Sequence, residues 1–490
     1  MNLRGETGRS GARPIDRVLE VAAGVVLLST LATAVHDVSY AWDVWYYHLP
    51  FAARLVGLLP KEAFVFHAAN EARFEGLPLL AELLQGVIWR VTGRVECANL
   101  VSFACVPLFA WFLRRRFEVP LALSILALLA IPLVQAHASS CYVDLPANTA
   151  TSVVVLLAFE AYATGATVDD RTLATAGLAA IVAANSKMLV LPIVLVALVA
   201  LGARSLPRIA LGLRSPGDLG RRRAAWTIAL SILTLVLVLA TPLKNLAVHH
   251  NPSFPVRMNL LGYHLPGAED PYSSAPGWLA NAPGPVRFVC SLLEIGIRPL
   301  SDPWRWTVDQ WMAPDSTGPR MGGFFGAYVV AELAFLGWLV ARDRSRTTRA
   351  AAIGFALFTA ITSVMPQAHE LRYYMGWMIV LVATNRWLAC REGAPTWRGR
   401  WLGVSSTLAL VVVIVVSRGV FVYPSGSTFT DLLGQKVDAR SIDGIAEGER
   451  VCVRRAPLDM LWAARFHPPR RYVVKEAEEP DECRGYRPLD

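Results

Sequence analysis

Charge is scarce in this 490-residue chain: Asp, Glu, Lys and Arg together make up 17% of it, against about 25% in soluble domains. With 54% hydrophobic residues and a mean hydropathy of +0.41, that excludes a disordered polypeptide and a collagen-like fibre. Cysteine is sparse too, at seven residues. That excludes a disulfide-stapled secreted module, and five of the seven show no metal-ligand spacing. No internal repeat runs along the chain, which argues against a transporter built from paired halves.

What is abundant is apolar sequence in runs of about 20 residues, the length that crosses a bilayer. Eleven such runs fall near residues 18–36, 96–113, 120–137, 146–164, 172–186, 188–203, 224–242, 323–341, 350–365, 373–390 and 402–422. Few charges interrupt them, Glu20, Glu160 and Glu332 among these. The expected fold is an all-α polytopic membrane protein of about eleven transmembrane helices.

A further stretch, Gly76 to Thr92, carries Glu82, Gln85 and Arg90 among its leucines. If it lies on the membrane surface, 21 arginines fall on the cytoplasmic side; if it spans, 17 of them move outside. The positive-inside rule selects the surface position. The N-terminus is then cytoplasmic, the first run an uncleaved signal anchor, and the C-terminal tail periplasmic or extracellular. Residues 1–422 form the membrane domain, with external loops at 37–95 and 242–321, and residues 423–490 a small α/β tail domain. The formal charge of +9 becomes a topology signal, because the cytoplasmic loops carry the arginines, and no nucleic-acid partner is implied.

All nine histidines fall on the outer face or at run ends facing it. There Asp37 and Asp43 follow the first run and Asp144 opens another, where partly desolvated carboxylates can act as a base or orient a substrate. Helix capping is the competing role for Asp144. Lys187, Lys244 and Arg372 stand at run ends on the same level, so they can converge on a phosphate. Segments 51–59 and 76–92 suit two helices lying on the outer leaflet. In the tail, 449–455 and 471–475 suit strands and 458–466 a short helix. Cys452 and Cys483 can pair in an oxidising compartment or stay reduced. Trp304, Trp306 and Trp311 in the large loop suit either sugar stacking or interfacial anchoring.

Four strings in order carry a family resemblance. Trp42-Asp43 through Tyr47-His48-Leu49-Pro50 resembles the first-loop "D…YHLP" motif of bacterial GT-C-type membrane glycosyltransferases. Tyr142-Val143-Asp144-Leu145 is similar to their second-loop aspartate motif. Asn251-Pro252-Ser253-Phe254-Pro255 is similar to their "NP-aromatic-P" string, and His369-Glu370-Leu371-Arg372-Tyr373-Tyr374 to their "RY" motif.

The resemblance, to the superfamily of protein mannosyltransferases and aminoarabinose transferases, implies inverting transfer of a sugar from a polyprenyl-phosphate donor in the bacterial inner membrane. It implies Asp43 as general base and Asp144 as a second catalytic carboxylate. Arg372 would hold the donor phosphate with Lys187 or Lys244. Tyr47, His48, Asn251, His369 and Glu370 would line the substrate site. The acceptor stays open among a glycan, a lipid and a protein. Val44 stands where protein mannosyltransferases carry a glutamate after the aspartate, so their acceptor type is not implied, and a divalent metal has no tight ligand cluster behind it. A transporter or lipid flippase is the alternative, and a non-catalytic membrane assembly or sensor protein a third.

Overall fold

The structure is a computed structural model that describes residues 14–165, 167–215, 217–260, 262–271, 275–296, 299–302, 305–306 and 323–489. Trp304, Trp311 and the arginines at 4, 9 and 13 lie outside the described residues.

Helix dominates, and each of the eleven apolar runs is helical. Six helices are long and apolar enough to cross a membrane alone: Pro14–His36, Glu96–Phe117, Asp144–Thr164, Met188–Arg214, Arg346–Val364 and Thr396–Val416. Two further runs are bent pairs, Leu121–Leu129 with Pro132–Ala138 (97°) and Asp218–Val238 with Ala240–His249 (54°). Each break has a proline at it, Pro132 and Pro242, which removes a backbone donor and crowds the preceding turn. Counting each bent pair as one span gives up to eight among the described residues.

The other three runs are the helices Asp170–Ser186, Gly326–Arg342 and Gly376–Cys390, of 17, 17 and 15 residues. At 1.5 Å per residue they reach about 25 Å or less, short of the roughly 30 Å hydrocarbon core. Among the described residues, six to eight of the eleven expected spans thus reach full length, and these three are helical but shorter.

Asp144–Thr164 is the hub. It packs against Glu96–Phe117, Asp170–Ser186, Leu191–Arg214, Arg346–Val364 and Gly376–Cys390. Inside the bundle, Arg386 meets Glu332 at 2.5 Å with both side chains inaccessible to solvent. Tyr328, Asn385 and Ser406 complete the network, as a charge at membrane depth requires.

Of the two helices expected on the leaflet surface, Leu49–Leu55 is interior. Leu80–Thr92 covers it so closely that a Cβ on Gly86 would lie 2.4 Å from the Ala52 carbonyl. Its 13 residues are too short to span. Glu82 and Gln85 face inward, to His48 and the Cys141 carbonyl, while the exposed Arg90 reaches back to the Val56 carbonyl. Leu83, Leu84, Val87 and Val91 face outward.

The tail forms strands Arg450–Val453, Val473–Glu476 and Arg487–Leu489, and the expected helix at 458–466 is a pair of 3-10 turns. Phe64–Val65 of the first loop adds an edge strand, pairing parallel with Val474 and Lys475. The four-stranded parallel sheet is thus shared between tail and first loop. Cys452 and Cys483 are disulfide-bonded. Asp37, a candidate base by position, is committed to holding the tail: its carboxylate accepts from the Ser425 and Gly426 amides at 2.6 and 2.9 Å.

Candidate active site

Three chain segments distant in sequence meet where Asp144–Thr164 begins. Trp42 and Asp43 are already helical after the non-helical residues that follow the first helix, and they lead into the single π-turn Val44–His48. Such turns widen the helix by one residue and cluster at functional sites. Leu371–Tyr374 is a 3-10 turn leading into Gly376–Cys390. Asn148, one turn into its helix, ties the second and third segments together. Its side-chain oxygen accepts from the Gly376 amide at 2.8 Å, and its amide donates to the carbonyls of Asp144, Arg372 and Tyr373. Gly376 suits this close approach, since a Cβ there would stand 3.2 Å from the Asn148 oxygen.

The result is two carboxylate–cation pairs side by side. Arg372 donates to Asp43 at 2.8 Å and to the Tyr373 hydroxyl at 3.0 Å. Lys187 forms an ion pair with Asp144, and its ammonium lies 4.0 Å from the centre of the Tyr373 ring. Tyr373 therefore sits against both cations, its guanidinium contact being 4.7 Å, at the distances of cation–π attraction. Burial holds the Tyr47 and Tyr373 phenols well above the ordinary range. Both remain neutral hydroxyls at any working pH.

Tyr142 extends the site inward. The Arg372 guanidinium lies 5.8 Å from its ring, His137 stacks on it at 4.5 Å, and His48 meets it edge-on at 5.9 Å. His48 Nδ1 is 2.8 Å from Glu82, and both are buried. The Tyr142 hydroxyl, one Glu82 oxygen and both His137 nitrogens have no hydrogen-bond partner among the described residues.

Of the sequence candidates, Asp43, Asp144, Arg372, Lys187, Tyr47 and His48 come together here. Glu370 joins at the edge, 3.8 Å from the Arg372 guanidinium. Lys244 donates instead to the main-chain carbonyl of Glu75. Asn251 spends its side chain inside its own loop, donating to the Val256 and Pro266 carbonyls and accepting from the Ser253 amide. The carbonyl of His369 accepts from Ser291; burial, then the Arg287 charge, push its imidazole down to about 4.

Glu82, His137 and Tyr373 are members that sequence reasoning did not assign. For Glu82 a signal existed, a carboxylate in an otherwise apolar segment. A metal does not suit this donor set: each aspartate already has a cation partner, and no three His, Cys, Asp or Glu side chains among the described residues could hold an ion.

Among solved structures, ArnT from Cupriavidus metallidurans in the apo state superposes on 94% of this chain and 89% of its own, with a TM-score of 0.52 and 13% identity. The chain has the GT-C-type fold of ArnT. The expectation drawn from the four motifs is met at the level of fold. ArnT of the same organism bound to undecaprenyl phosphate gives a TM-score of 0.49 and 15% identity over 95% of this chain and 90% of its own. No family model and no curated protein sequence matches the chain.

Proposed function

We propose that this ArnT-like membrane protein is a glycosyltransferase that moves a sugar from a polyprenyl phosphate to an acceptor hydroxyl, with inversion. The periplasmic side is where the site would open. The observation that carries the reading is the pairing of Asp43 with Arg372 beside Asp144 with Lys187.

In the reaction, Asp43 takes the proton of the acceptor hydroxyl as that oxygen bonds to the anomeric carbon. The bond from that carbon to the phosphate oxygen breaks, and its electron pair leaves on the phosphate. Once protonated, Asp43 is neutral and loosens its hold on Arg372. The guanidinium is then available to the phosphate at the moment its charge grows, which is differential stabilisation of the transition state. Lys187, aimed by Asp144, supplies the second positive charge. The partnerless polar atoms of Tyr142, His137 and Glu82 are groups suited to recognising sugar hydroxyls, because leaving them unmatched is costly.

Transfer of labelled sugar from polyprenyl-phosphate donors tests this. Asp43→Asn is expected to lower the rate about 10²- to 10⁴-fold while leaving donor binding intact. Equal rates in the variant and the parent protein would remove Asp43 as the base.

A further inference from the structure

A second feature runs along the bundle from Ile193, six residues past Lys187, to Arg346 at the far end of its helix. Helices Asp144–Thr164, Leu191–Arg214 and Arg346–Val364 enclose a cavity of about 500 Å³, within the roughly 300–1,000 Å³ of small-molecule sites. Its walls are apolar from Ile361 at one end to Ala350 at the other. Gly354 lets the Phe159 ring approach until a Cβ would be 3.0 Å away. Arg346 and Ile361 are 15 residues apart, about 22 Å of helix, more than the roughly 15 Å depth of one leaflet. A whole acyl chain fits along it.

The mouth is positively charged. Arg346 lines the cavity beside Tyr162, and the Arg204 guanidinium stands 5.5 Å from that ring. Arg346 opens its helix, whose first turn has no acidic residue. A basic residue there opposes the helix dipole unless an anion sits against it. Asp343, three residues before Arg346, is paired with Arg391, and Glu160 on the facing helix with Arg116.

The geometry points to a structural lipid site: we propose that this cavity holds an acyl chain of an anionic glycerophospholipid, its phosphate resting on Arg346 beside Arg204. A polyprenyl donor held by its phosphate at Arg372 has no use for this charge. Val155, the first cavity residue on its helix, is 11 residues past Asp144, about 16 Å along the helix axis.

The test uses the purified full-length protein in detergent, read by native mass spectrometry against dioleoylphosphatidylglycerol and dioleoylphosphatidylcholine. The parent protein should retain the glycerol lipid about fivefold more tightly, the weight of one basic residue near an anionic headgroup. Arg346→Gln, an exposed position, should abolish that preference, and Ala350→Trp should weaken retention of both lipids. Equal retention of the two lipids by the parent protein, or a preference that survives Arg346→Gln, would overturn the proposal. So would stoichiometric displacement of the glycerol lipid by undecaprenyl phosphate, which would assign the cavity to a donor tail.

Discussion

Asp144 and Lys187 are 43 residues apart and share a nearly inaccessible ion pair. Removing one partner strands the other charge out of water, at a cost of about 3–5 kcal/mol. Lys187→Ala is therefore expected to lower stability by that amount, read from chemical unfolding in detergent. The double variant Asp144→Asn with Lys187→Met should recover most of it; strictly additive losses would show the pair to be uncoupled.

These residues were legible in the sequence because each stands alone at the end of an apolar run, where nothing but capping competes for it. Arg386 was not legible: its partner Glu332 is 54 residues away, and a buried charge is distinguished from an anchoring one by its contacts alone. His48 was assigned from its motif, whereas the carboxylate that orients it belongs to a helix whose inward face sequence could not name.

That helix, Leu80–Thr92, shows the limit at the scale of elements. Periodicity reveals two faces, but which of them is covered depends on the solvent. In water the apolar face turns inward; here the polar one does, and the leucines and valines look out. The arrangement makes sense against lipid. Cysteines at Leu84 and Val87 are expected to resist a water-soluble maleimide in liposomes and to react with a membrane-permeant one. Rapid aqueous labelling would show the face to be wetted. The apolar runs were read correctly as helices, while a bend inside a run, as at Pro132, is not visible in composition.

At the scale of the whole molecule, the tail and the first loop behave as one unit, joined by a carboxylate. Glu476 accepts from the His67 amide at 3.1 Å and from Asn70 at 3.0 Å. Burial above all, with the Asp459 charge adding, pushes it up to about 8; burial pushes Asp459 up to about 7. Carboxyls with raised folded-state values stabilise the fold fully below the unfolded value of about 4.5, and that stability drains away as pH rises through 7 and 8. Thermal unfolding should therefore move to lower temperature between pH 5 and pH 9. Glu476→Gln, which keeps an oxygen for both donors, should flatten the slope and raise stability at pH 8. An unchanged slope would mean that this carboxyl does not titrate in the folded protein.

The same parallel sheet also sets an order of events during synthesis. Its edge strand, Phe64–Val65, leaves the ribosome early, but its partner near Val474 follows some 400 residues later, about 20–80 s at ordinary elongation rates. Throughout that interval the loop bearing Asp43 has its own helices but not its fastening. Bundle helices can insert and pack in turn, yet the loop that carries Asp43 gains its sheet partner only after Val473–Glu476 has been made. Fastening of that loop therefore follows insertion of the bundle helices, and a product truncated before Val473 would carry Asp43, Asp144, Lys187 and Arg372 without the sheet that fastens the loop bearing Asp43.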